Sequence, residues 1–124
     1  TANPIACAAA AANLAIWREE DVLGRIATLA DGIATRLGIL AAHPAFANPR
    51  HLAPIAAIAL IPPDAGYLSD LAPRLRAFFL ERGLLLRPLG NTIYLMPPYC
   101  LDADQLDRLF AALAEAGDSF GMQP

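Results

Sequence analysis

The chain has 124 residues, 56% of them hydrophobic, and a formal net charge of −3 at pH 7. This length and composition predict one domain with an ample core, and without a basic excess we expect no nucleic-acid partner. No apolar run reaches the length of a membrane span, and the Ala-rich start lacks the basic residues of a signal peptide, so we expect no membrane partner either.

The first predicted helix covers residues 3–17. Asn3 is a good N-cap, and Pro4 suits the first helical position because an N–H there would have no partner within the helix. The segment is apolar on nearly every side. We therefore expect it to be buried on most sides, either as a core helix or against a further surface.

The second predicted helix begins after the acidic residues 19–21, whose charges suit a helix N-terminus. Apolar residues then recur every three or four positions from Val22 to Leu40, which indicates an amphipathic helix. The helix should end near His43, since Pro44 disfavours helical backbone in the residue before it.

Residues 45–50 are predicted to connect this helix to a strand from Ile55 to Ile61. Pro54 should mark the start of that strand or an edge of the sheet, because proline has no N–H to give to a ladder. Residues 62–66, rich in Pro, Asp and Gly, are predicted to form a turn.

A third helix is predicted over residues 67–82. Pro73 interrupts its apolar pattern, so we place Pro73 in the first turn with Ser69 or Asp70 as the N-cap. Gly83 is expected to end the helix, because glycine adopts the left-handed conformation found there.

The last predicted helix runs from its N-cap Asp102 to about Ala116, and Gly117 is expected to stop it. Residues 119–124 are predicted to form a loose tail.

Two apolar runs, Leu84–Leu86 and Ile93–Met96, flank the sequence Pro88-Leu89-Gly90-Asn91. Proline and glycine favour a turn between them, so the pattern predicts a β-hairpin. Arg87 would end the first strand beside the turn, where a rigidly held guanidinium can bind a carboxylate or phosphate through two hydrogen bonds. The alternative is an arginine whose stem lies along apolar surface while its charge reaches water.

The predicted order of elements is α-α-β-α-β-β-α, an α+β fold. We expect a three- or four-stranded sheet with helices packed mainly on one face, and a right-handed crossover in the strand–helix–strand portion.

Catalytic candidates are few. Ser69 and Ser119 stand outside any nucleophile motif, and His43 and His51 flank a proline-containing connection where structural roles are favoured. No phosphate-cradling glycine motif is present. The sequence therefore predicts no catalytic residue in this chain.

Cys7 and Cys100 are the only cysteines and lack the spacing of a metal site. We expect buried free thiols, a cytoplasmic location and no bound metal.

Two segments resemble a known family. Residues 87–99, Arg-Pro-Leu-Gly-Asn-Thr-Ile-Tyr-Leu-Met-Pro-Pro-Tyr, look like the C-terminal hairpin of class III, pyridoxal-phosphate-dependent aminotransferases, and the ending Tyr-Leu-Met-Pro-Pro-Tyr is typical of their biotin-pathway branch. Residues 1–10 resemble the Gly-Asn-Pro-Leu-Ala-Cys-Ala-Ala helix of the same family. The two matches stand in family order near opposite ends, so the resemblance covers essentially the whole chain. The family commonly has glycine and a small residue where Ala53 and Pro54 stand, which leaves the backbone path there open.

The resemblance implies the small C-terminal domain of a fold-type I aminotransferase. All nine basic residues are arginine, so the lysine that holds pyridoxal 5′-phosphate as a Schiff base would lie outside this chain. Residues 1–124 would then be this small domain, with helix 3–17 linking it to an N-terminal large domain, and the enzyme would act as a homodimer. The chain alone would be inactive and would hold no cofactor contact, since the family's phosphate-binding hydroxyl lies just before Thr1.

For the biotin-pathway branch, the resemblance implies transfer of an amino group from S-adenosylmethionine to the keto acid 8-amino-7-oxononanoate, giving 7,8-diaminononanoate. Arg87 would bind the carboxylate of the keto acid and Leu89 would touch its aliphatic chain. Tyr94 and Tyr99 would line the site or pack in the core or an interface. Two alternatives stay open: another class III ω-aminotransferase, and a freestanding, non-catalytic α+β binding module.

Overall fold

The computed structural model describes residues 3–63 and 68–122, and this part of the chain forms four helices and three strands. The helices are α1 (Pro4–Glu19), α2 (Val22–Leu40), α3 (Leu68–Glu81) and α4 (Ala103–Phe120). The strands are β1 (Phe46–Leu52), β2 (Ile55–Leu60) and β3 (Thr92–Leu95). Residues 64–66 of the predicted turn lie outside the described residues, as does the end of the predicted tail.

The three strands form one antiparallel sheet with β2 in the centre. A tight turn at Ala53 and Pro54 joins β1 to β2, and Ala53 takes a φ of 50°. The register of β1 shifts between Ala47 and Arg50, where Pro49 has no N–H to donate. β1 is thus a bulged edge strand.

One face of the sheet carries the core. Alternate residues of β2 and β3 are buried, as the two-residue period of a strand requires. They share one apolar cluster with the inner faces of α2, α3 and α4. The sheet contributes Phe46 from β1 and Ala56, Ile58, Leu60, Ile93 and Leu95 from β2 and β3. The buried stripe of α2 consists of Val22, Leu29, Ile33, Leu37 and Leu40. The helices therefore cover one side of the sheet.

The α+β prediction, with a three-stranded sheet and helices mainly on one face, is confirmed. The element order within it differs, since the described part reads α-α-β-β-α-β-α. β1 occupies the segment that was predicted to be a connection. The predicted right-handed crossover is wrong, because β2 and β3 are antiparallel neighbours and no parallel pair exists among the described strands.

The predicted start of α4 and the predicted end of α3 are confirmed. Asp102 caps α4 as expected, and its carboxylate accepts the Gln105 N–H at 2.8 Å. Gly83 ends α3 with φ 73°, and the Leu84 N–H reaches back to the Phe79 carbonyl at 2.9 Å. Glycine is suited to this left-handed position.

Three predicted boundaries were wrong. Ser69 and Asp70 lie inside α3 instead of capping it, and Pro73 follows the first turn. Gly117 does not stop α4, which continues to Phe120, so the first residues of the predicted tail are helical. Because Gly117 is buried against the Phe46 ring, packing keeps this glycine within the helix.

α1 is the exception to the packing. In the described part of the chain none of its residues is buried, so α1 is not a core helix of this domain, and burial against a further surface stays a prediction. Ile5 is 80% exposed and Trp17 is 43% exposed. No helix among the described residues has both the length and the apolar character needed to cross a bilayer.

The close approach of Gly117 gives a stability test. A Cβ at this position would lie 2.7 Å from Phe46 Cε2 and 3.0 Å from His43 Cε1, so we expect Gly117→Ala to cost about 1–3 kcal/mol in urea unfolding. The matched control is Gly38→Ala in α2, where a Cβ meets nothing within 4 Å; helix propensity should make it neutral or stabilising by up to about 1 kcal/mol. A Gly117→Ala chain as stable as the parent would contradict the packing.

Candidate functional site

A groove with a volume of about 430 Å³ opens beside the sheet. It is lined by residues 83–87 on one side, by residues 94–98 on the other, and by Leu101, Gln105, Arg108 and Leu109 from the start of α4 and just before it. We call this the arginine groove. Arg87, the predicted anion-binding residue, lies on its wall.

The arginine groove lies between the two arms of the predicted hairpin. Leu89 and Thr92 exchange two backbone hydrogen bonds of 2.9 Å, and Gly90 between them has φ 57°. Beyond this bridge the arms do not pair in the described structure: the Leu86 N–H bonds to Leu84 of its own arm at 3.1 Å. The predicted turn is present, but the prediction that Leu84–Leu86 forms a paired strand is wrong. Arg87 is therefore not at a strand tip, and any role for it rests on the groove.

The backbone around Arg87 is nevertheless anchored. Leu84 and Leu86 pack against the core and Pro88 is buried, whereas Leu85 and Arg87 are exposed. This alternation is that of an extended segment, in which successive side chains point to opposite sides. Because its neighbours on both sides are fixed by the core, the Cα of Arg87 is held with its side chain directed outward.

The turn that follows Arg87 is tied to the central strand. The Asn91 side chain donates to the Leu60 carbonyl at 2.9 Å, and the Leu60 N–H donates to the Asn91 carbonyl at 2.8 Å. Such bonds each add about 0.5–1.5 kcal/mol to stability. They fix the position of the turn relative to β2, and the turn thereby fixes one end of the arginine groove.

Arg87 makes no hydrogen bond or ion pair with any described residue. Other arginines are engaged: Arg36 Nε donates to Asp107 at 2.7 Å, and Arg82 Nε donates to Glu115 at 2.8 Å. No Asp or Glu lines the arginine groove. The Arg87 guanidinium therefore keeps its full set of donors for an external anion.

The other predicted site residues lie in different places. Tyr94 is half-buried and lines the arginine groove opposite Arg87. Leu89 is 69% exposed and is not among the lining residues, so its contact with a substrate chain stays a prediction. Tyr99 lines a separate groove beside α2. The structure thus brings Arg87 and Tyr94 together and leaves Leu89 and Tyr99 outside.

Sequence reasoning did not single out Gln105 and Arg108. Both line the arginine groove from α4. Their spacing of three residues places them on the same side of a helix, which was visible in the sequence. What was not visible is that the fold brings this side of α4 against a segment some 20 residues earlier.

The histidines do not form a catalytic pair. The Nδ1 of His43 accepts the Ala45 N–H at 3.2 Å, its Nε2 lies 3.1 Å from Asp118, and its ring packs on Phe46. Both ring nitrogens are therefore occupied, Nδ1 within the loop that follows α2 and Nε2 in joining that loop to α4. His51 is exposed on β1. His43 thus has a structural role.

The described residues offer neither a metal-binding cluster nor a lysine amine. The described residues contain no His, Cys, Asp or Glu cluster that fits a metal ion. Cys7 and Cys100 are both exposed free thiols, so the expectation of buried thiols is wrong. With no lysine in the sequence, the chain has no side-chain amine to bind an aldehyde cofactor.

Comparison with known proteins shows which family this chain matches. The family profile described as aminotransferase class III matches residues 1–116. The adenosylmethionine-8-amino-7-oxononanoate aminotransferase of Synechococcus elongatus is 42% identical over 118 residues, covering 95% of this chain and 27% of that protein. An omega-aminotransferase of Caulobacter vibrioides is 34% identical over 109 residues, covering 88% of this chain and 25% of that protein.

A solved structure gives the same picture. The adenosylmethionine-8-amino-7-oxononanoate aminotransferase of Methanocaldococcus jannaschii superposes with a TM-score of 0.83 at 28% identity, covering 97% of this chain and 28% of that chain. The chain therefore spans about a quarter of the length of the relatives it matches.

Because Arg87 has no partner among the described residues and Arg36 has several, replacing each should affect the free energy of unfolding differently. Arg87→Met should change the free energy of unfolding by less than about 0.5 kcal/mol, because no partner is lost. Arg36→Met removes the bonds to Asp107 and to the Gly32 carbonyl and should cost about 1–3 kcal/mol. Urea unfolding of both variants measures the difference. An equal loss in both would show that Arg87 has a structural partner.

Proposed function

The chain belongs to the class III aminotransferase family, and on that premise we propose that it is the C-terminal small domain of a biotin-pathway transaminase. The full-length protein transfers the amino group of S-adenosylmethionine to 8-amino-7-oxononanoate and releases 7,8-diaminononanoate. The similarity to the Synechococcus and Methanocaldococcus proteins, both named for this reaction, supports the assignment.

The observation that carries the proposal is the unpaired Arg87 on the wall of an apolar groove. The keto acid is a flexible aliphatic chain that ends in a carboxylate. In this proposal the guanidinium binds that carboxylate through two hydrogen bonds, and the leucines of residues 84–86 contact the chain. Leu89, exposed beside the same segment, adds a contact in the assembled enzyme. Fixing one end of a flexible acid orients its ketone for reaction.

The proposal divides the site between two parts of the full-length protein. Pyridoxal phosphate, when bound, supplies the electron sink for transamination. The lysine that holds it lies in an N-terminal large domain, since this chain has none. α1 links that domain to the sheet and is covered in the assembled homodimer, which accounts for its exposed apolar side chains here. Residues 1–124 alone are accordingly inactive.

A second candidate is an ω-aminotransferase acting on another amine, which the similarity to the Caulobacter protein favours. The two candidates differ in the amino donor. Activity of the full-length protein with S-adenosylmethionine supports the biotin-pathway reaction, whereas activity confined to ω-amino acids or simple amines supports the second.

Replacement of Arg87 in the full-length protein tests the proposed role. We expect Arg87→Ala to lower kcat/KM for the keto acid by the equivalent of about 2–5 kcal/mol, because the carboxylate loses its partner. Arg87→Lys should also bind the acid poorly, since an ammonium lacks the planar fork. The KM for the amino donor should stay unchanged in steady-state kinetics.

The matched control is Arg76→Ala. Arg76 is exposed on α3, makes no hydrogen bond or ion pair with any described residue, and does not line the arginine groove. This variant should keep the parent kinetics. Near-normal kinetics of Arg87→Ala with the keto acid would disprove the role of Arg87.

A further inference from the structure

The arginine groove contains a second guanidinium, that of Arg108 on α4. We propose that Arg108 is a specificity-determining residue that acts with Arg87 to select an aliphatic ligand ending in a carboxylate. The inference rests on the proposed function, because it concerns the groove that would take the keto acid.

Arg108 differs from Asp107 and Glu115 of the same helix, which are both paired with arginines. Asp107 accepts from Arg36 on α2, and Glu115 accepts from Arg82, which directly follows α3. Asp104 stands one turn before Arg108, at a spacing that permits an ion pair. No such pair forms: Arg108 makes no hydrogen bond or ion pair with any described residue. Its guanidinium is exposed and lines the arginine groove.

The remaining polar groups of the arginine groove also favour an anion. The Gln105 side-chain oxygen accepts the Asp102 N–H at 3.0 Å, so the end of that side chain left for a ligand is its NH₂ donor. Tyr94 brings a hydroxyl that donates equally well. The walls carry two guanidinium groups and no carboxylate, so every charged side chain that lines the groove is positive although the whole chain carries a formal net charge of −3.

The apolar walls narrow the choice of anion. Leu84, Leu86, Met96 and Leu109 line the arginine groove between the polar groups. Inorganic phosphate or a small acid would leave these side chains in contact with water, whereas an alkyl chain covers them. The combination of apolar walls and two cationic side chains therefore fits a long-chain monocarboxylate. Arg87 binds its carboxylate directly. Arg108 adds an electrostatic attraction for the charged ligand, and an uncharged ligand of the same length gains nothing from it.

The test uses the full-length holoenzyme and two probes of equal chain length that lack a ketone, nonanoate and 1-nonanol. Each is measured as a competitive inhibitor against the keto acid. We expect Arg108→Met to raise the inhibition constant of nonanoate about three- to tenfold, the range for a solvent-accessible charge contact. The constant for nonanol should not change. Arg108→Lys should recover part of the nonanoate affinity, since the charge is kept.

Arg76→Met serves as the control and should leave both inhibition constants unchanged. The KM for the keto acid should rise in Arg108→Met by a factor similar to that for nonanoate, while kcat and the KM for the amino donor stay the same. Added salt should weaken nonanoate binding less in Arg108→Met than in the parent, because one charge contact is gone.

The outcomes separate this inference from the proposed function. If Arg87→Met weakens nonanoate and Arg108→Met does not, the role of Arg108 is overturned while the proposed function stands. If neither variant weakens nonanoate, both are overturned. Equal weakening of nonanoate and nonanol by Arg108→Met would assign the effect to lost packing and also overturn the charge role. Should Arg108→Met fail to fold, Arg108→Gln replaces it with the same expectations.

Discussion

The site depends on the two backbone hydrogen bonds between Leu89 and Thr92. They close the turn, and Asn91 within it is bonded to Leu60 of the central strand through both its side chain and its backbone. Because the turn is fixed while the arms beyond it are unpaired in the described structure, the arms separate and a groove opens between them. A fully paired hairpin would fill this space with ladder hydrogen bonds, so the arginine groove exists because no regular strand precedes the turn in the described structure.

Arg87 combines a fixed backbone with a free side chain. Leu86 packs against the core on one side of Arg87 and Pro88 is buried on the other, and no described residue competes for the guanidinium. Because its guanidinium has no such partner, Arg87 binds an anion without first breaking an internal contact. Elsewhere in the described structure Arg36 and Arg82 bond to carboxylates of α4, and these bonds join α4 to α2 and to the end of α3. The fold therefore uses some arginines as ties between helices and presents others to the groove.

The sequence predicted the helices better than the sheet. The apolar stripe of α2, the Asp102 cap and the Gly83 end are local signals, and each was found. β1 was missed because Asn48-Pro49 is typical of a loop; in the structure this pair sits at a bulge on an edge strand, where the missing N–H costs little. The leucines 84–86 have the alternation of a strand, but Leu86 bonds within its own arm. The position of Arg87 beside a turn was local and predictable, whereas its grouping with Gln105 and Arg108 depends on the tertiary fold.

The most direct measurement of the central claim is a crystal structure of the full-length protein with 8-amino-7-oxononanoate bound. The account predicts that both carboxylate oxygens lie about 2.7–2.9 Å from nitrogens of the Arg87 guanidinium, with the aliphatic chain running along the leucines of residues 84–86. A structure in which the carboxylate is bound by other residues, while Arg87 points into solvent, would contradict it.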